Sequence, residues 1–491
     1  MVEPKQYKTD VLIVGAGISG IAAAYHLKEK CPNHDFMILE GMESHGGTWL
    51  THKYPGVRSD SDLYTFGYSF KPWTGVPIAS ADEILNYMGE VISESKLNDQ
   101  LYFSHKIASA DWNSEKKCWV VKGEIGAEKQ PFELESNILW MAAGYYDHKT
   151  PYTPEFPGMS DFKGEIIHPQ HWPEALDYSD KQVVVIGSGA TAATIIPAMA
   201  GDTKHITMLQ RSPTYFVPLE NKNELADTLR QIDVPEALVH DIVRKKILFD
   251  AKQIHEASNA YPDIVKAELL KTVRGFLGEE FDVEKHFTPS YRPWQQRIAC
   301  VPDGDLFAGI NAGKASVVTD QIDRFVNNGI LLKSGELLEA DIIVTATGFN
   351  LSMVGGVQVS LDGVPVDFAS MTTYRGVLFS GMPNFINVFG YLRTSWTMRA
   401  ELVAEYVCRL LNHMNEHNLT VVTPELRESD ANMTLKPFIS PDDFNPGYLQ
   451  RAGHLMPKQG DRAPWQFSQD YYQECEELPA ASLNDDVLKY G

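Results

Sequence analysis

Gly15, Gly17 and Gly20 stand at the spacing that lets a polypeptide approach a phosphate. They follow the apolar run Val11-Leu12-Ile13-Val14 and precede an alanine- and leucine-rich stretch, residues 21–30, that reads as a helix stopped at Cys31-Pro32. A second apolar run, Phe36-Met37-Ile38-Leu39, ends in Glu40. Each residue type suits dinucleotide chemistry. Gly15 allows a tight turn, Gly17 lets a pyrophosphate reach the backbone, and Gly20 lets helix and strand pack closely. The helix start offers free N–H groups to the phosphates, and Glu40 can accept both ribose hydroxyls. The pattern returns at Val183-Val184-Val185-Ile186, followed by Gly187, Ser188, Gly189, Ala190, Thr191 and Ala192, with Ala192 in the third glycine slot. The next strand, predicted over residues 205–209, ends in Gln210-Arg211-Ser212 and not in an acid. A guanidinium binds a 2′-phosphate that a carboxylate would repel, so this second site should prefer NADPH to NADH. The glutamate-ended first site suits FAD. Two sites of opposite ribose chemistry imply a flavoprotein reduced by a nicotinamide.

The elements that must position these residues predict an α/β protein with two Rossmann-like dinucleotide-binding domains. The first part of the FAD domain is expected over residues 1–145, the NADP domain over 146–340, and the second part of the FAD domain with C-terminal helices over 341–491. Residues 138–144 and 342–348 are both strand-like runs ending in glycine, the expected hinges between domains. Residues 219–290 lack strand alternation and are rich in helix formers, with Pro235 and Pro262 as breaks, so a helical insertion in the NADP domain is expected. Leu402, Val403, Tyr406, Val407, Leu410, Leu411 and Met414 mark an amphipathic core helix.

Composition narrows the partners. With 43 basic against 65 acidic residues among 491, the chain carries a formal charge of −22, which disfavours nucleic acid and anionic lipid. No apolar run reaches the length of a membrane span, and the first run starts too late and ends too soon for a signal peptide. Cys31, Cys118, Cys300, Cys408 and Cys475 are odd in number and scattered. They point to a reducing, cytoplasmic setting without a disulfide framework, a zinc site or the redox pair of a disulfide reductase.

Between the two glycine motifs, the stretch from Phe162 through Gly164, His168 and Trp172 to Pro173 fits the pattern FxGxxxHxxxWP. With Gly46-Gly47-Thr48-Trp49 and Tyr54-Pro55-Gly56-Val57-Arg58-Ser59-Asp60, it makes the sequence resemble the type I Baeyer–Villiger flavin monooxygenases over essentially its whole length. Arg58-Ser59-Asp60-Ser61-Asp62 and Gln210-Arg211-Ser212-Pro213-Thr214-Tyr215 are similar to the bacterial branch that contains the ethionamide-activating monooxygenase. The resemblance implies FAD contacts at Ser19, Glu40, Gly47, Thr48, Trp49, Leu50, Thr51 and Asp60, with the backbone of Ile107 at the adenine. It implies NADP contacts at Arg58, Ser59, Asp60, at residues 187–193 including Ala193, and at Arg211 and Ser212. His168 is expected to organise the linker between domains, a secondary role. The catalytic arginine falls among residues 291–298. Arg297, with Leu306-Phe307 downstream, fits the family spacing better, although Gln296 stands where many members carry lysine; Arg292, before Pro293, is the alternative.

The implied chemistry is reduction of flavin by NADPH, addition of O2 at C4a to give a peroxide, and attack on a ketone to yield an ester or lactone. Arg297, oriented by Asp60, would hold the anionic charge, since arginine keeps its proton at working pH. The same folds would serve sulfur or nitrogen oxygenation of thioethers and thioamides, the alternative reading. A flavin-binding sensor is the non-enzymatic one.

Overall fold

Unbroken apolar runs mark strands covered on both faces. The computed structural model, which describes residues 3–491, sets the first two such runs inside a nine-stranded sheet. Lys5–Val14 pairs in parallel with Phe36–Leu39 on one side and Gln130–Met141 on the other. The antiparallel strands His105–Asn113 and Cys118–Ile125 extend this sheet. Helix Ile18–Lys30 covers one face and packs against the long helix Trp396–Glu416. That helix buries Val403, Tyr406, Val407, Leu410, Leu411 and Met414, the stripe its spacing foretold.

A second sheet has five parallel strands in the order Ala315–Thr319, His205–Gln210, Gln182–Ile186, Ile342–Thr345 and Glu165–Ile167. Helices Ala190–Met199 and Asp305–Asn311 cover one face, and a three-stranded meander from Ile322 to Glu339 covers the other. The chain is thus α/β with two Rossmann-like units.

Two expectations need correction. Ile342–Thr345 lies between Gln182–Ile186 and Glu165–Ile167, so the chain leaves the second unit after this strand, and a boundary at 341 is too early. An isolated apolar strand carries no mark of the sheet that will receive it. The crossing itself is an antiparallel pair, Tyr146–Pro151 against Phe349–Leu351. The insertion does form helices, Glu224–Gln231, Glu236–Ala260, Pro262–Leu277 and Val283–Phe287. Pro235 and Pro262 open two of them, where a missing N–H costs nothing. Its packing, however, is divided. Ala226, Val239 and Val243 join the core of the first unit, while Leu270, Val273, Val283 and Phe287 join that of the second.

All five cysteines are free. No helix among the described residues is long and apolar enough to cross a membrane.

Candidate functional site

The first cradle is built from backbone. Gly15 has φ +104°, and a Cβ at Gly20 would lie 1.9 Å from the Gly15 carbonyl oxygen, so neither position admits a side chain. Gly17 faces Gly47, whose Cβ would come within 3.2 Å of the Gly17 Cα, leaving a slot walled by main chain. Helix Ile18–Lys30 starts there with no side-chain cap and no acid in its first turn, which leaves its N–H groups open to an anion. Buried Glu40 accepts from the Ala16 N–H at 2.7 Å and the Met42 N–H at 2.8 Å, fastening the glycine turn to the second strand. The His105 N–H donates to the Glu40 carbonyl at 2.8 Å, which brings Ile107 beside the same corner. Ser19 Oγ accepts from the Trp396 indole at 2.8 Å. Thr48–Thr51, including Trp49 and Leu50, form a single helical turn after Gly47, and Thr51 Oγ1 donates back to the Gly47 carbonyl at 3.0 Å. Open glycines, an uncapped helix start and a carboxylate at the strand end fit FAD.

The second cradle repeats the plan. Gly187 has φ +130° and Gly189 faces open space. Helix Ala190–Met199, which includes Thr191 and buries Ala192 and Ala193, is likewise uncapped and without an acid in its first turn. Ser188 Oγ donates to the Ser212 carbonyl at 3.2 Å, tying the glycine turn to the next strand end. Arg211 is exposed there and has no hydrogen-bond partner among the described residues. The donor set fits a dinucleotide with a 2′-phosphate.

Residues 54–60 bridge the two cradles. Tyr54 is buried in the core of the second unit, and a Cβ on Gly56 would meet Ala198 Cβ at 2.6 Å. Arg58 makes a two-pronged ion pair with Asp305, at 2.6 and 3.3 Å. Sequence reasoning missed Asp305; an acid opening a seven-residue helix gives no signal of its own. Ser59 is buried, its hydroxyl donating to the Ser61 carbonyl at 2.9 Å. Asp60 Oδ2 receives the Arg297 guanidinium at 2.6 Å. Arg292 lies elsewhere, donating to Asn259 Oδ1 at 3.3 Å and to the Asp442 carbonyl at 3.2 Å. The structure therefore brings Asp60 to Arg297 and not to Arg292.

The Asp60 carboxylate, against the opposing effect of burial, holds the Arg297 proton even more firmly than usual, and Tyr448, Tyr145 and Tyr146 lie within range of the same charge. The positive charge is permanent. These three tyrosines also escaped sequence reasoning. The adjacent pair after Gly144 was a readable signal; Tyr448, far along the chain, carried none.

The fingerprint stretch grips both linkers. His168 Nδ1 accepts from the Gln170 N–H at 3.1 Å, so Nε2 carries the hydrogen and donates to the Gly348 carbonyl at 3.2 Å. Gln170 donates to the Asp147 carbonyl at 2.6 Å. Burial above all pushes His168 down to about 4, so it stays neutral and acts as a brace. Phe162 and Trp172 pack into the two hydrophobic clusters of the second unit.

Residues 9–254 match the family described as pyridine nucleotide-disulphide oxidoreductase. The chain is 44% identical over 489 residues to a probable FAD-binding monooxygenase, AlmA, of an Acinetobacter species, which covers 98% of this chain and 96% of the relative. It is 44% identical over 484 residues to the FAD-containing monooxygenase EthA of Mycobacterium tuberculosis (strain ATCC 25618 / H37Rv), covering 98% and 97%. Among solved structures, cyclohexanone monooxygenase bound to cyclohexanone superposes with a TM-score of 0.74 at 19% identity, over 99% of this chain and 100% of that one. Oxidized steroid monooxygenase bound to NADP gives 0.74 at 19% identity, over 98% and 99%. At that identity the two structures establish the shared fold.

Proposed function

The chain belongs to the FAD-containing monooxygenases, NADPH-dependent flavoenzymes, and from that premise we propose that it inserts oxygen into ketones to give esters or lactones, the Baeyer–Villiger reaction. The observation that carries this reading is the Arg297–Asp60 pair, 2.6 Å apart between two dinucleotide cradles. When bound, FAD reduced by NADPH supplies the activated form of O2. The protein supplies position and charge. Arg297 places a fixed cation where negative charge develops on a carbonyl oxygen, and Asp60 sets its direction. Tyr145 and Tyr146, packed with Trp396 and Phe349, give the site an aromatic wall. Arg211 holds the 2′-phosphate of NADPH from the exposed strand end, and Glu40 stays at the flavin ribose. The Arg58–Asp305 pair fastens the segment carrying Asp60 to the second unit, so the charged pair is complete only with both units in place.

The test is product analysis of linear, cyclic and aryl ketones with NADPH in air. Esters or lactones, formed in step with NADPH consumption, are the expected result. Sulfoxides from thioethers with no ester from any ketone would overturn the reading in favour of heteroatom oxygenation.

A further inference from the structure

The rings of Tyr145 and Tyr146 lie 4.2 Å apart between centroids, and both, with Tyr448, are within charge range of the Arg297 guanidinium. Tyr145 Oη donates to Tyr146 Oη at 2.8 Å, so Tyr146 accepts and keeps its own hydrogen to give away. Tyr448 Oη is buried with no partner among the described residues. A buried hydroxyl without a partner is costly, and native interiors rarely retain one. Its position is firmly held. Tyr448 lies in the first turn of Gly447–Ala452, and just ahead of that turn the Asn445 N–H donates to the Gln295 carbonyl at 2.9 Å. That bond ties the turn to the segment carrying Arg297. The Tyr448 ring meets that of Tyr146 edge-on, centroids 6.1 Å apart, and that of Tyr145 at 6.3 Å. Two phenol hydrogens, both without acceptors among the described residues, are thus gathered within range of one fixed cation.

We propose that Tyr146 and Tyr448 form a carbonyl-oxygen subsite beside Arg297, and that Tyr448 is a further catalytic residue, its Oη–H donating to the substrate's carbonyl oxygen. The inference rests on the ketone reading given above. Neutral donors suit the task. They bind the carbonyl in the ground state and strengthen as its oxygen gains charge, with no second cation to be desolvated. Tyr145, by donating to Tyr146, polarises it and makes it the better donor. Burial, with neighbouring phenols, raises the Tyr145 and Tyr146 hydroxyls, so both keep their hydrogens through the working pH range. A thioether sulfur accepts hydrogen bonds weakly, so the subsite distinguishes carbonyl from thioether substrates.

The test uses holoenzyme carrying FAD and NADP+, as wild type and as Tyr448→Phe and Tyr146→Phe, variants that keep the ring and lose one oxygen. Binding of cyclohexanone and of methylenecyclohexane, its isostere without an oxygen acceptor, is read from the flavin absorbance. Tyr448→Phe should weaken the ketone about tenfold and leave the alkene unchanged, which also reports an intact fold. In turnover, ester formation should fall while NADPH-driven flavin reduction and thioether sulfoxidation hold. Equal effects on ketone and alkene, or no effect on either, would overturn the subsite. If wild type makes no ester, the ketone reading falls by itself, and the two-ligand comparison still decides on Tyr448.

Discussion

Arg297 and Arg292 occupy one short segment and have the same side chain, yet one meets a carboxylate between the cradles and the other a carbonyl and an amide at the rim. Arg297→Ala should still bind both cofactors and still be reduced by NADPH, because neither cradle includes it. Ester formation should fall by ~10²–10³-fold, the usual loss when a donor to a developing oxyanion is removed, and sulfoxidation should suffer less. Arg292→Ala is the matched control and should leave ester yield near wild type; if the two variants exchange behaviour, Arg292 is the catalytic arginine. At the second cradle, Arg211 has no partner among the described residues to lose, so Arg211→Ala should be well folded. Steady-state kinetics should show the KM for NADPH rising far more than that for NADH. Equal increases would mean that Arg211 does not read the 2′-phosphate.

At the scale of elements, the helical insertion acts as a strap between the units. From helix Glu236–Ala260, Arg244 donates to the carbonyls of Tyr64, Thr65 and Gly67 at 2.8, 3.1 and 2.9 Å and faces Glu401 at 3.4 Å. The four-residue helix Leu63–Phe66 that it caps follows directly on the segment carrying Asp60. Burial raises Glu401 above the usual carboxylate range, and the Arg244 charge opposes that rise. Arg244→Ala would strand this carboxylate and three carbonyls in the interior. A loss of about 3–5 kcal/mol is expected for a buried pair broken on one side, read by urea unfolding. Adding Glu401→Gln should recover part of it, since the uncompensated charge is then gone. Unfolding midpoints that match wild type in the single variant would show that the strap bears no load.

For the molecule as a whole, buried histidines set the response to acid. Burial pushes His26, His148, His168 and His240 down to about 4, and lowers His52, His105, His255 and His286 in the same direction. Between the unfolded value of 6.5 and the folded value of about 4, the unfolded chain binds more protons, so stability falls as pH falls through that window. Three groups act the other way: His34, raised chiefly by Asp10, and Asp62 and Glu401, raised by burial. The histidines outnumber them. Thermal scans should therefore show Tm nearly level from pH 7 to 8 and dropping steadily from about 6.5 to 4.5. A Tm that holds or rises at pH 5 would mean that these imidazoles are hydrated in solution.

What the sequence determined by itself was local. A glycine turn, the strand before it, the helix after it and the charge at the next strand end are all set by contiguous residues, so both cradles were legible from spacing and residue type. The proline-marked helices of the insertion were legible for the same reason. The Asp60–Arg297 pairing was reached through family resemblance, whose spacing favoured Arg297 and kept Arg292 as the alternative. What only the tertiary structure decided was contact between distant segments. Arg58 and Asp305 are 247 residues apart, Arg297 and Asp60 237, and Arg244 and Glu401 157. The sheet that receives Ile342–Thr345, the two cores shared by the insertion, and the Tyr448 hydroxyl beside Arg297 belong to the same class. Such contacts leave no periodicity or local propensity in the chain, because they arise when separately folded elements bury their apolar faces and bring along whatever polar groups those faces carry.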